Sequence, residues 1–377
     1  MKIGILTQPL HTNYGGILQN YALQTVLKKM GHEVWTVDRD RKTPSYIIKQ
    51  LLLLLPYKKA KIRAWMTNKE LQIIEQFTGE FIKKNINVTE KVFSTNKLKR
   101  VTSKHDFDAY IVGSDQVWRP QYSPCIYNYF LDFALKLNIK RVAYSASFGV
   151  DTWEFTESQT QKCKELAQQF DAISVREITG IDLCDKHLDV KAVQTLDPTL
   201  LLNKEEYLKL INLDSSSQNK GKIFTYILDQ NSKKNDVILW LENNLNLKSF
   251  QIMPEIYTVE HFAKTKKIDL KKCVFKPVEE WLNSFVDAEF IITDSFHGVI
   301  FSIIFRKQFL VVGNEKRGLS RFTSLLNLLG LEERLITDIP NVSLLSNKID
   351  FDKVYIELNK HKELSLNFLT QALNRVS

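Results

Sequence analysis

The chain has 377 residues, 44% of them hydrophobic and 25% charged, with only 13 Gly and 9 Pro. That balance excludes a disordered or collagen-like chain and allows two ordinary domains, each with its own core. The net charge of +9 is local: Lys42 to Lys104 holds 14 Lys or Arg against 4 Asp or Glu, and the remainder is close to neutral. Lys2–Leu6 reads as a first β-strand rather than a secretion signal, since no long apolar core or small-residue cleavage site follows. The apolar run Leu51–Leu55 is far too short for a bilayer, so the expectation is a cytoplasmic protein. Cys125, Cys163, Cys184 and Cys273 form no C-x-x-C pair, which disfavours a zinc knuckle or redox dithiol and suits reduced thiols.

After the first strand comes His11-Thr12-Asn13-Tyr14-Gly15-Gly16, then a helix over about Ile17–Met30 that Gly31 stops. Asn13, Tyr14, Gly15 and Gly16 have two readings. Paired glycines let a ligand approach the backbone, and the helix start offers free N–H groups to an anion. The plainer reading is a tight turn that needs glycine. A second strand, Glu33–Val37, ends at Asp38, where a dinucleotide fold puts its ribose acid, but the full G-x-G-x-x-G is absent.

Lys42–Lys69 has no acidic residue. Such a segment attracts an anionic membrane surface or a diphosphate, or is simply a solvated surface insertion. It carries no nucleic-acid motif, so no nucleic-acid partner is expected.

The strand Ala109–Val112 runs into Gly113-Ser114-Asp115-Gln116-Val117-Trp118. The carboxyl edge of an open α/β sheet is where ligands bind. Ser114 and Asp115 are therefore candidates, Asp115 as general base or sugar contact, with Trp118 and Arg119 as a stacking face and a cation. The alternative is an N-cap for a following helix. Strands Arg141–Tyr144 and Ala172–Val175 follow, the second ending in Arg176, which either forks onto an anion or pairs with a neighbour such as Glu177. Asp197, before Pro198, reads as structural.

A polar run at Asp214–Gly221 separates these strands from a second series: Ile223–Leu228, Ser249–Met253, Phe290–Thr293 and Phe309–Val312. Alternation of strands and helices in both halves indicates parallel sheets with crossover helices. Thr293-Asp294-Ser295-Phe296-His297-Gly298 places His297 at the mouth of the second sheet, ahead of a helix over Val299–Phe305. Imidazole moves protons near neutral pH, so His297 is the leading catalytic candidate, with Ser295 and Gly298 beside it. Arg317 and Arg321 lie on the loop after Phe309–Val312 and suit a small polyanion.

These segments together resemble the polysaccharide pyruvyl transferase family. The likeness lies in Asn13–Gln24, Val112–Trp118, Ala146–Gly149, Ser174–Glu177, Asp197–Leu202, Asp294–Gly298 and Ser320–Leu326. It implies phosphoenolpyruvate as donor, a pyruvate ketal on a sugar as product, and site roles for Arg176 and His297, with Arg321 a further match.

The expected fold is α/β, with two Rossmann-like domains; the resemblance implies that they face a cleft, similar to the GT-B glycosyltransferase architecture. Residues 1–205 form the first domain, with a basic insertion at about 42–104. Residues 206–350 form the second, and a helix in 351–377 packs back on the first. No cofactor or metal is expected beyond phosphoenolpyruvate as donor substrate. The partners would be a sugar or lipid-linked oligosaccharide acceptor, with anionic membrane contact through 42–69. The rival readings are a nucleotide-sugar glycosyltransferase of the same architecture and a non-catalytic binding protein of a surface-polysaccharide pathway.

Overall fold

The computed structural model describes residues 1–41, 66–211, 219–257, 268–313 and 318–374. The first half begins with β1 (Lys2–Leu6), α1 (Tyr14–Lys29) and β2 (Glu33–Thr36). It continues through α2 (Thr95–His105), β3 (Ala109–Val112), β4 (Lys140–Ala146), α3 (Glu157–Ala167), β5 (Ala172–Val175) and β6 (Val193–Gln194). The second half runs β7 (Ile223–Tyr226), α4 (Ser232–Leu245), β8 (Ser249–Phe250), α5 (Val278–Asp287) and β9 (Phe290–Thr293). It ends with α6 (Phe296–Ile304), β10 (Gln308–Val312), α7 (Ser320–Leu329), β11 (Leu335–Ile336) and α8 (Phe351–Leu373).

Two parallel sheets result, ordered β2-β1-β3-β4-β5-β6 and β11-β10-β9-β7-β8. Every residue of β3, β7 and β9 is buried. That is why these runs are apolar on both faces instead of alternating. In each sheet the chain starts in the middle, adds one strand on one side, then crosses to the other. The switch points therefore fall between β1 and β3 and between β7 and β9, and ligands bind in the crevices these create at the carboxyl ends.

The core joins the halves. Tyr14 of α1 stacks on Trp281 of α5, with ring centroids 5.4 Å apart, and Tyr207 meets Phe301 of α6 edge-on at 5.0 Å. α8 bridges both sheets: Phe368 lies against Tyr144 of β4, Ser365 Oγ accepts from Leu196 N–H at 3.0 Å, and Tyr355 donates to the Ile304 carbonyl at 3.1 Å. Among the described residues no helix is long and apolar enough to cross a membrane.

Three differences from the sequence reading matter. α1 starts at Tyr14 rather than Ile17, so Gly15 and Gly16 belong to its first turn; Asn13 caps it by accepting from Gly16 N–H at 3.2 Å. α6 starts at Phe296, so His297 sits inside a helical first turn instead of a loop. The expected strand Ser249–Met253 shortens to Ser249–Phe250. Most of the acid-free segment Lys42–Lys69 lies outside the described residues. The rest of the basic stretch is built into the first domain, with Val88 and Val92 bridging Thr36 and Arg39 and with Leu98 buried.

The second switch point is tied by a buried ion pair. Asp294, just past β9, accepts from Lys234 Nζ at 2.6 Å and from Leu228 N–H at 2.6 Å. Lys234 also donates to the Asp229 carbonyl at 2.7 Å. This is where the structure puts Asp294, which the sequence suggested as a polar neighbour of His297: it holds the ends of β7 and β9 together. Removing one partner strands the other charge in the interior. Lys234→Met is expected to cost about 3–5 kcal/mol, seen as a clear fall in the thermal midpoint; an unchanged midpoint would contradict the assignment.

Candidate active site

Arg176 leaves the carboxyl end of β5, Asp197 follows β6, His297 stands in the first turn of α6 and Arg321 in the first turn of α7. α7 leans on the first domain, where Ser324 Oγ accepts from Ile178 N–H at 3.1 Å. All four side chains are buried.

Asp197 is the hub. Its Oδ2 accepts from Arg176 Nη1 at 3.0 Å and Ser114 Oγ at 3.2 Å, and lies 3.5 Å from His297 Nε2. Its Oδ1 accepts from Thr199 N–H at 3.0 Å and Thr199 Oγ1 at 2.6 Å. Burial by itself would raise this carboxyl, but His297, Arg176 and Thr199 together hold it well below the usual carboxylate range.

Arg176 has spare donors. Its Nη2 is 3.6 Å from Asp115 Oδ1 and its Nε 3.8 Å from Glu177 Oε2, too long for hydrogen bonds. Both nitrogens are buried without a hydrogen-bond partner among the described residues, as is His297 Nε2. Burial opposes the charge on Arg176, yet Asp197, Glu177 and Asp115 raise its pKa above the ordinary value. Arg321 is less compensated: burial first, then Arg176, pull it from its ordinary value down to about 10. Two buried arginines, with donors to spare on Arg176, suit an anion.

The other expected residues divide. Asp115 lines the cleft between the domains and caps no helix, since turns follow it. Asn13 lines the same cleft while capping α1. Gly15 packs on the imidazole: a Cβ there would fall 2.1 Å from His297 Nδ1. Gly298 lets α6 close on β9, for a Cβ there would fall 2.2 Å from Thr293 Oγ1. Gly16 serves the cap, and Ser295 is the N-cap position of α6 without a side-chain capping bond. Ser114 is fully buried and its hydroxyl is committed to Ser145 O and Asp197.

Tyr14 is a correction. It is fully buried, stacked on Trp281, and its hydroxyl donates to the Lys276 carbonyl at 2.9 Å, so it joins the domains and does not face a ligand. Trp118 is buried as well, stacked on Phe130, and cannot supply the expected stacking face. Arg317 lies outside the described residues.

Sequence reasoning passed over Asp197 and Glu177. Glu177 Oε1 accepts from Ser147 Oγ and Gly149 N–H, each at 2.7 Å, and so fixes the loop after β4. The Asp-Pro-Thr triplet did hold a signal: a carboxylate at a strand end with its own hydroxyl partner two residues on.

The fold and site define a two-domain α/β enzyme of GT-B-like architecture. Its solved neighbours include S. aureus MnaA in a co-structure with UDP, at TM-score 0.54 and 14% identity over 100% of this chain and 97% of that one. Rickettsia bellii UDP-N-acetylglucosamine 2-epimerase gives TM-score 0.51 and 11% identity over 98% and 96% of the two chains. Arabidopsis thaliana UGT89C1 gives 0.53 and 10% over 99% of each. At such identities the likeness is one of fold. Comparison with curated proteins finds no match. The polysaccharide pyruvyl transferase family model matches residues 13–316, and the chain belongs to that family.

Two outcomes test this geometry. Gly15→Ala should fold yet displace the imidazole and lower turnover about 10²-fold or more, as misplacement by an ångström can; wild-type turnover would show that the contact is idle. Asp197 has a depressed pKa, so its stabilisation is complete above the unfolded value and is lost as pH falls through the folded one. Asp197→Asn should therefore melt below wild type at neutral pH, and the gap should narrow below roughly pH 4. A gap that holds constant into stronger acid would contradict the assignment.

Proposed function

We propose that the chain transfers the pyruvyl unit of phosphoenolpyruvate onto two hydroxyls of a sugar in a surface polysaccharide or its precursor, forming a ketal and releasing phosphate. Membership of the family supports the transferase class. The observation that carries the donor is the buried Arg176–Arg321 pair with unpaired donors on Arg176. A carboxylate and a phosphate on one three-carbon frame match two such cations.

In this reading Arg176 and Arg321 hold the anionic groups, and His297, its ring fixed between Gly15 and Asp197, gives a proton to the methylene carbon. Positive character then develops at the central carbon. A sugar hydroxyl attacks there and passes its proton to Asp115. The bond to phosphate breaks, and a second hydroxyl closes the ketal at the carbon left cationic, returning its proton to the His297 imidazole. No resident cofactor is required for these steps.

The test is phosphate release from phosphoenolpyruvate by the purified protein with a panel of sugars. Release should depend on acceptor, should fall by about 10²-fold or more in His297→Gln, and should vanish in folded Arg176→Ala. Release unaffected by either change would sink the residue assignments. Thermal shifts with nucleotide sugars and none with phosphoenolpyruvate would replace the reading by a glycosyl transfer.

A further inference from the structure

At the end of α6 remote from His297 lies a separate cavity of about 510 Å³, a size that suits a small organic ligand. Three parts of the chain wall it: the segment after Pro198, the end of α6, and α8 from Tyr355 to Lys362. Leu200, Leu202, Ile304 and Leu358 are buried and form an apolar floor. Around the floor stand Lys204, Arg306 and Lys362, against one lining carboxylate, Glu205. Arg306 donates to Asp352 at 2.9 Å, and its guanidinium lies 4.5 Å from the Tyr355 ring centroid. Lys362 donates at 2.6 Å to a neutral partner, Asn203 Oδ1. Neither Lys204 nor Lys362 has a carboxylate partner among the described residues. Burial first, then Lys29, lower the Lys362 ammonium below its ordinary value. Cations crowded around an apolar floor repel one another, and an anion removes that cost. Arg306 also holds a backbone conformation that favours glycine. Its φ is 53°, just where α6 ends and Lys307 N–H donates back to the Ser302 carbonyl at 2.8 Å. Glycine is the usual residue at such a helix end. An arginine there carries backbone strain and sets a guanidinium at the cavity.

We propose that this cavity is an effector site for a small organic phosphate, with the phosphate on Lys204, Arg306 and Lys362 and the organic body on the leucine floor, and that its occupancy is transmitted to the active site. Two stretches of chain connect the two places. α6 carries His297 in its first turn and reaches the cavity wall at Ile304, about 10 Å further along the helix. Asp197 opens the segment that continues through Thr199 to Leu200 and Leu202 on the floor. His297 Nε2 and Asp197 Oδ2 lie 3.5 Å apart, so a shift of either stretch changes their contact. The cavity draws its walls from both domains, and a ligand that fills it favours the arrangement in which those walls close on it. The inference does not depend on which donor the active site takes.

The experiment is calorimetric titration of ADP and of inorganic pyrophosphate into the full chain, with hydrogen–deuterium exchange on the same samples. It uses wild type, Arg306→Gly, Lys204→Gln and Arg321→Met. Arg306→Gly removes a cation while relieving the left-handed backbone, so it should fold. Arg321→Met keeps the bulk of the side chain and disables anion binding in the active site. ADP should bind wild type and Arg321→Met alike, and should lose about tenfold in each cavity variant, the order of one charge-assisted contact. Pyrophosphate should bind more weakly than ADP, since it has no body for the floor. Bound ADP should slow exchange in Phe296–Ile304 and in residues 197–202 of Arg321→Met. No ADP binding, or equal binding by folded Arg306→Gly and Lys204→Gln, would overturn the site. Binding lost only in Arg321→Met would overturn it too, by putting the anion on the active-site arginines. Pyrophosphate binding as tightly as ADP would overturn the assignment of an organic phosphate. ADP binding with exchange unchanged in both segments would overturn the coupling.

Discussion

One buried carboxylate, Asp197, is shared by Arg176 from the first domain and His297 from the second. The rest of the site depends on that sharing. A charge taken out of water is tolerated only when it is paired and hydrogen-bonded, and here pairing needs both domains in place. Ser114 and Thr199 supply the further hydrogen bonds that make the burial affordable. With Asp197 engaged, one end of Arg176 is anchored, while its Nε and Nη2 stay buried with their donors unspent. His297 is confined on its other side by Gly15, so the imidazole is held by a helix that has no side chain at that point.

Arg176 lies close enough to burden the buried Arg321, and an anion between them would relieve it. Asp40, Asp115 and Asp229 line the cleft outside them, together with His11 and Arg41. The switch points of the two sheets create that cleft, and the Lys234–Asp294 pair and helix α8 keep its walls in register.

Much of the fold was legible in the sequence, because strands buried on both faces read as short apolar runs and crossover helices keep their period. Phe290–Thr293 and Ala109–Val112 match in their bounds for that reason. The short edge strand β11 was not seen, since two residues give no pattern, and β6 showed only as a strand end before the turn at Asp197. In the site, Arg176 and His297 stood out as chemistry at strand ends. Asp197 did not, because a carboxylate before proline looks the same whether it ends a turn or anchors an arginine; only the fold brings His297 to it. Tyr14 and Trp118 misled for the opposite reason: aromatic residues beside polar motifs are read as ligand contacts, and here both are core.

The most direct test of the account is a calorimetric titration of phosphoenolpyruvate, pyruvate and inorganic phosphate into the wild-type protein. If the two arginines and His297 form one site for a carboxylate and a phosphate on a single frame, phosphoenolpyruvate binds more tightly than either fragment. Heat from a UDP-sugar with none from phosphoenolpyruvate would contradict it.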